Sequence, residues 1–354
     1  MDMPKYKSGI ESRMVKTERL DTHVLVSGME KGTPVIFIHG NFSAALYWQD
    51  LMLALPEGYY GIAPDLRGYG WSEDKRTDAT RGVRDWSEDL TALMDEMEIG
   101  AAHFVGWSLG AAPIYRLMLE VPERIKSVTL VAPVSPYGFG GTKGLDGEPV
   151  FDDFAGCGGG LVNPDFVKRI SEGDRSAEDP NSPRNIINTF YWAEGFVAED
   201  IEDYLTASLM EKIGEDKYPG DAAPSENWPM AAPGKWGPIN AGSPKYMLDD
   251  IPELLNLEKK PPVLWARGDK DQIVSDASFF DIPVLGKLGF VPGYPGEEVF
   301  PAQPMIGQTR AFFEKYASKG GTFEERVIDN AGHGCFIEKP EEFNAFFHAF
   351  LKSN

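Results

Sequence analysis

One serine, one histidine and a pair of aspartates stand in settings where they could do chemistry together. Ser108 lies in Gly106-Trp107-Ser108-Leu109-Gly110, a G-x-S-x-G segment. Alone that pattern is weak, because glycine and serine are common, but its context strengthens it. A strand-like run, Ala102 to Val105, precedes it, and helical spacing begins near Leu109. A sharp strand-to-helix turn projects the hydroxyl and forces strained torsions on the serine, and the glycines two residues to either side relieve the crowding. Ala111 and Ala112 continue the small-residue run, and Pro113 is tolerated in the first turn of a helix, where its missing N–H would be unpaired.

A serine hydroxyl is a weak nucleophile at neutral pH and needs a general base beside it. Five histidines compete for that role. His23, His39 and His103 sit on or beside strands, and His348 falls on the apolar face of the last helical pattern. His333, in Ala331-Gly332-His333-Gly334, follows the last strand pattern and precedes the last helix. That places it at the carboxyl edge of an α/β sheet, the edge Ser108 also occupies, where such sheets bind ligands. A carboxylate to orient the histidine should follow another strand. Trp265 to Val274 offers Asp271, three residues beyond Gly268, and Asp269, directly after it. Asp271 is the preferred choice, and the chain order serine, aspartate, histidine suits an elbow of this kind.

The elements around these residues predict how they are positioned. Over residues 13–135, β-rich runs (Val24–Val26, Val35–Ile38, Tyr59–Ala63, His103–Val105, Val128–Ala132) alternate with helical patterns at 44–55, 83–98 and 109–120. Such alternation implies a mostly parallel sheet covered on both faces. The rhythm breaks over 136–260, which is dense in Gly and Pro and studded with aromatics, with helices expected only near 183–193 and 199–213. It resumes at Pro262–Ala266 and ends with a strand at 323–328 and a helix from about 340. The expected organisation is a catalytic domain made of 1–135 and 261–354, an inserted cap at 136–260, and a second, lid-like irregular insertion at 279–304.

Taken together, His39-Gly40-Asn41-Phe42 after a strand, Asp65-x-Arg67-Gly68-x-Gly70-x-Ser72, the elbow at Ser108, Gly268-x-x-Asp271-x-x-Val274 and Gly332-His333 resemble the α/β-hydrolase family. The resemblance covers about 20–135 and 260–354. It implies an α/β-hydrolase fold and a Ser108–Asp271–His333 triad. It also implies an oxyanion hole built from the N–H groups of Leu109 and Asn41, with Phe42 as runner-up for the second donor. Relatives that open epoxides or displace halide usually carry an aspartate nucleophile, so Ser108 argues against both activities, although His39-Gly40-Asn41 resembles the dehalogenase pattern. Trp107 is expected to pack under the elbow. No cofactor is implied.

Composition bounds the partners. With 55 acidic against 34 basic residues the net charge is −21, which disfavours nucleic acid and anionic membrane surfaces. Cys157 and Cys335 cannot form a disulfide framework, and Cys335 is expected to be a buried neutral thiol. Gly156 to Gly160 lacks a lysine partner and a strand-to-helix setting, so a flexible loop is expected rather than a phosphate cradle. The dispersed histidines suggest no metal cluster. The polar start, residues 1–9, and the lack of a long apolar stretch suggest a cytoplasmic protein with no membrane partner. The expected partner is a small, fairly hydrophobic ester or lactone. Alternatives are carbon–carbon or amide cleavage by the same triad, as in carbon–carbon bond hydrolases and aminopeptidases, and a non-catalytic ligand receptor on the same scaffold.

Overall fold

The computed structural model describes residues 4, 6–28 and 32–354, so four residues of the polar start, 1–3 and 5, lie outside the described residues. Eight strands form one sheet: β1 (Ile10–Lys16), β2 (Asp21–Ser27), β3 (Thr33–Ile38), β4 (Tyr59–Pro64), β5 (Ala102–Trp107), β6 (Ile125–Val131), β7 (Val263–Gly268) and β8 (Phe323–Ile328). Their order is β1-β2-β4-β3-β5-β6-β7-β8, antiparallel at β1–β2–β4 and parallel from β4 onward. β5 is buried along its whole length, as expected for a strand covered on both faces. The edge strands β1 and β8 instead carry exposed charges such as Glu11, Arg13, Glu324 and Arg326, which discourage pairing with a further strand.

Register sets the working edge. Ile38 pairs with Gly106, Trp107 with Val131, Ala266 with Val131 and Gly268 with Ile328, so β3, β5, β6, β7 and β8 end nearly level. Helices α1 (Arg84–Glu96) and α2 (Ala111–Glu120) follow β4 and β5, and α5 (Met305–Ser318) and α6 (Pro340–Ser353) flank β8. Among the described residues no helix is long and apolar enough to cross a membrane.

The inserted segment carries little regular structure: α3 (Pro164–Ser171), α4 (Ile201–Ser208) and short turns and ribbons. Its helical turn from Pro183 widens into a π turn over Ile187–Tyr191. The helix expected to run to 213 stops at Ser208. Beyond it the chain turns so that the Lys212 N–H reaches the Gly68 carbonyl at 2.9 Å. Its aromatics do not form a core of their own: Phe166, Tyr191, Trp192 and Tyr204 share one apolar cluster with Phe37, Trp48 and Trp107 from the sheet side. At its other end the segment rejoins the sheet layer early, because Ile251 and Leu254 pack with α2 and α5 residues.

Two loops expected to be irregular are well packed. Residues 155–159, within the glycine cluster, are buried, and the Gly159 N–H is held by Asn240 Oδ1 at 2.8 Å. The 279–304 stretch contains a helix, Ile282–Lys287, and packs against the larger insertion through Phe300, whose ring meets Phe151 and Trp228. Glycine and proline content had suggested mobility, but the small residues here admit large aromatic rings.

Asp281, in that stretch, is buried with Oδ1 unpartnered, while Oδ2 accepts the Gln303 N–H at 2.7 Å. Burial raises its pKa to about 7, against the pull of the Gln303 and Ile282 N–H groups. The folded value thus exceeds the unfolded one. The associated stability is complete below about pH 4 and is lost as pH rises toward 7. We therefore expect Asp281→Asn to gain in Tm relative to the parent between pH 5 and pH 8 in thermal melts. A Tm difference independent of pH would refute this account.

Candidate active site

Ser108 follows β5 directly and holds φ +55°, the left-handed region that a non-glycine residue occupies only when its surroundings impose it. The surroundings are backbone. A Cβ at Gly110 would lie 2.4 Å from the Ile38 carbonyl oxygen, so the end of β3 presses directly on the turn. A Cβ at Gly40 would lie 2.8 Å from Ser108 Cβ, so His39-Gly40-Asn41 runs against the serine itself. Behind the turn the Ser108 carbonyl accepts the Val134 N–H at 3.0 Å.

His333 and Asp271 come together. His333 Nδ1 and Asp271 Oδ2 are 2.9 Å apart, and the other carboxylate oxygen accepts the N–H groups of Ile273 and Val274 at 2.8 and 3.0 Å. Both side chains are buried. An ionised carboxylate only accepts, so the imidazole proton resides on Nδ1 and the Nε2 lone pair is left to face a hydroxyl. β8 lies three strands from β5, roughly 14 Å at ordinary strand spacing. The loop after β8 nonetheless brings His333 back to the elbow: Trp107 Nε1 donates to the His333 carbonyl at 2.9 Å, and the two rings lie 5.3 Å apart. Trp107 therefore packs at the elbow, as its position suggests, and also anchors the histidine loop.

The competing groups are occupied elsewhere. Asp269 accepts the Asn330 N–H at 2.7 Å and pairs with Lys270. His23 is held by Asp65 at 2.7 Å. Burial alone would raise the Asp65 pKa, but His23 and the Trp71 N–H bring it below the usual carboxylate range. His39 Nε2 accepts the Leu66 N–H, so its Nδ1 proton goes to the Gly40 carbonyl, and burial keeps the ring neutral. Burial also lowers His103 to about 4, and His348 lies on the last helix with Nε2 buried and unpartnered. Cys335 and Cys157 are buried thiols whose pKa burial pushes up, which removes them as nucleophiles. The Asp65–Ser72 motif is structural: Arg67 makes a two-pronged ion pair with Asp89 at 2.7 and 2.8 Å, and Asp65 also accepts the Ala45 N–H.

On the other side of Ser108, Asn41 and Phe42 are held by their acceptor groups. Tyr69 Oη donates to Asn41 Oδ1 at 3.0 Å, Tyr191 Oη reaches the carbonyls of Asn41 and Phe42 at 3.1 and 2.9 Å, and Ser208 Oγ donates to the Phe42 carbonyl at 2.8 Å. Phe42 has φ +49°, and its N–H faces the Glu211 carboxyl. That direction turns the Phe42 N–H toward Glu211, and Leu109 directly follows Ser108 in the chain.

A serine at a strained elbow, an Asp-oriented histidine and two backbone N–H groups can together carry out acyl transfer. A family model described as the alpha/beta hydrolase family matches residues 35–346. The chain belongs to the alpha/beta hydrolase family. It is similar to an epoxide hydrolase of Caballeronia sordidicola, 32% identical over 121 residues, which are 34% of this chain and only 36% of that protein. A longer match, 25% identical over 354 residues and 96% of each chain, is to epoxide hydrolase A of Mycobacterium tuberculosis. Among solved structures, carboxylesterase CesB from Bacillus subtilis aligns with a TM-score of 0.59 at 17% identity, covering 98% of this chain and 92% of that one, a likeness of fold.

In this hydrolase one supporting residue had no sequence signal. Glu338 is buried and accepts two N–H groups, Gly332 through Oε1 and Ala193 through Oε2, each at 2.7 Å. It therefore ties the residue before His333 to the inserted segment, where the Gly334 N–H also reaches the Tyr191 carbonyl at 2.9 Å. Burial raises the Glu338 pKa and the two N–H groups oppose that rise. A glutamine can accept only one of the two and sets its NH₂ against the other, a buried mismatch costing about 1–3 kcal/mol. Glu338→Gln is expected to lower Tm by a few degrees and to speed amide exchange at Ala193 and Gly332. If exchange at both amides matches the parent, Glu338 is not the tie.

Proposed function

We propose that this hydrolase cleaves a carboxylic ester or lactone of a fairly hydrophobic small molecule through an acyl-enzyme, with no cofactor, and that residues 136–260 are its cap. The observation that carries the reading is the His333–Asp271 hydrogen bond of 2.9 Å, brought to the strained Ser108 turn by the bond from Trp107 Nε1 to the His333 carbonyl. Ser108 Oγ attacks the carbonyl carbon while His333 Nε2 takes its proton. Asp271 stabilises the resulting imidazolium. The N–H groups of Asn41 and Leu109 take the oxyanion, and losing one such donor typically costs about 100- to 1,000-fold in rate. Collapse expels the alcohol, protonated by His333. A water activated by the same base then releases the acid. Leu109 and the rings of Phe42, Phe166 and Tyr191 around the site suit an apolar acyl group.

The names of the epoxide-hydrolase relatives raise a different reaction, but the nucleophile argues against it. Opening an epoxide with a carboxylate leaves an ester that water can cleave at its carbonyl. Opening one with Ser108 would leave an alkyl ether, which has no carbonyl for His333-activated water to attack. Carboxylesterases among the matched structures support an acyl substrate instead.

Ser108→Ala is expected to lower kcat on p-nitrophenyl butyrate by at least about 10⁴-fold, and Asp271→Asn by about 10⁴-fold through the wrong histidine tautomer. A fluorophosphonate probe should label the parent at Ser108. If the alanine variant turns over the ester as fast as the parent, the nucleophile is elsewhere. A panel of ester, lactone, amide and vinylogous diketone substrates, ranked by kcat/KM, separates ester cleavage from the amide and carbon–carbon alternatives.

A further inference from the structure

Beside the oxyanion loop lies a buried carboxyl that the acyl-transfer steps do not use. Glu211 is 5% exposed, and neither carboxyl oxygen has a hydrogen-bond partner among the described residues. Such a group costs stability, since a buried polar atom without a partner forfeits its hydration. It is nonetheless held firmly in place. Three residues before it, Ser208 Oγ donates to the Phe42 carbonyl at 2.8 Å. One residue after it, Lys212 donates its N–H to the Gly68 carbonyl at 2.9 Å and its Nζ to the Gly70 carbonyl at 3.0 Å. These anchors hold Glu211 beside the Asn41–Phe42 turn.

Its surroundings are the hydroxyls that hold the same turn. Tyr69, Tyr191 and Tyr218 lie near Glu211, and Tyr69 and Tyr191 donate to Asn41 and Phe42. The Phe42 N–H faces the carboxyl without closing a well-formed hydrogen bond. Burial drives the carboxyl pKa well above its ordinary range and so favours its neutral form, with the Phe42 N–H pulling the other way. A neutral acceptor can orient an N–H without placing a negative charge next to a developing oxyanion.

We propose that Glu211 is a positioning residue for the oxyanion hole: by drawing the Phe42 N–H away from Ser108, it sets the peptide orientation that leaves the Asn41 N–H facing the reacting carbonyl. The inserted segment thus completes the hole without touching the substrate, and the cost of an unpartnered buried carboxyl is offset in transition-state geometry. The inference rests on the acyl-transfer reading above.

The test compares Glu211→Met, which keeps the volume and removes the acceptor, with Glu211→Gln, which keeps an acceptor for Phe42. Both are measured on p-nitrophenyl butyrate with Tm followed in parallel. We expect Met to lower kcat about 10- to 100-fold with KM within threefold and Tm equal to or above the parent. Gln should restore kcat to within about fivefold of the parent. A purely structural role would instead lower Tm and kcat together in the Met variant, and that result overturns the proposal. So does a Met variant with parental kcat, or a Gln variant as slow as Met. If the parent itself neither turns over the ester nor takes the fluorophosphonate at Ser108, the acyl-transfer reading has failed and this inference falls with it. If the parent does both, any failure belongs to Glu211 alone.

Discussion

Parallel strands of matched register deliver their ends to one edge, and everything chemical in this molecule depends on that levelling. Ile38 opposite Gly106, and Gly268 opposite Ile328, bring the loops that carry Asn41, Ser108, Asp271 and His333 to a common height. Within that frame the decisive contact is backbone against backbone. The end of β3 lies so close to the elbow that a Cβ at 40 or 110 would strike backbone or Ser108 itself, and Ser108 sits in this crowded turn with a left-handed torsion. A larger residue at either position would displace Ser108 and the turn that begins at Gly40 together.

The inserted segment is bound into this frame rather than laid upon it. Its rings join the apolar cluster that covers one face of the sheet, so its burial and that of the sheet are one event. Its polar groups reach the two loops that flank Ser108. Tyr191 and Ser208 hold the carbonyls of the Asn41–Phe42 turn, and the Tyr191 carbonyl and the Ala193 N–H hold the histidine loop, the latter through Glu338. Changes in this segment therefore reach the Asn41–Phe42 turn and the histidine loop through hydrogen-bond geometry. The π turn over Ile187–Tyr191 ends on the residue that touches both loops, Tyr191.

Much of the fold was legible because its signals are local. The β-rich runs ending at Ile38, Val105 and Ala266 and the helical spacing of 83–98 each report a period and a boundary, and the strands and helices formed within a few residues of them. The middle of the chain was less legible. Its helix ended five residues short of 213 because Lys212 and Ser208 are drawn to carbonyls more than a hundred residues away. The 279–304 stretch looked irregular in isolation and became ordered by burying Phe300 against Phe151 and Trp228, partners that no local pattern announces.

At the site the same division holds. The sequence by itself determined the types and order of the candidate groups, because a G-x-S-x-G turn after a strand, an aspartate three residues past a strand glycine and a Gly-His pair are short-range patterns with short-range physical causes. It also narrowed the base to one histidine of five by its place after the last strand. Only the tertiary structure decided which aspartate meets His333, and that Glu211 and Glu338 stand behind the two loops. Those outcomes depend on which backbone groups meet across long sequence separations, and a buried carboxyl leaves no trace in composition or periodicity until the chain has closed around it.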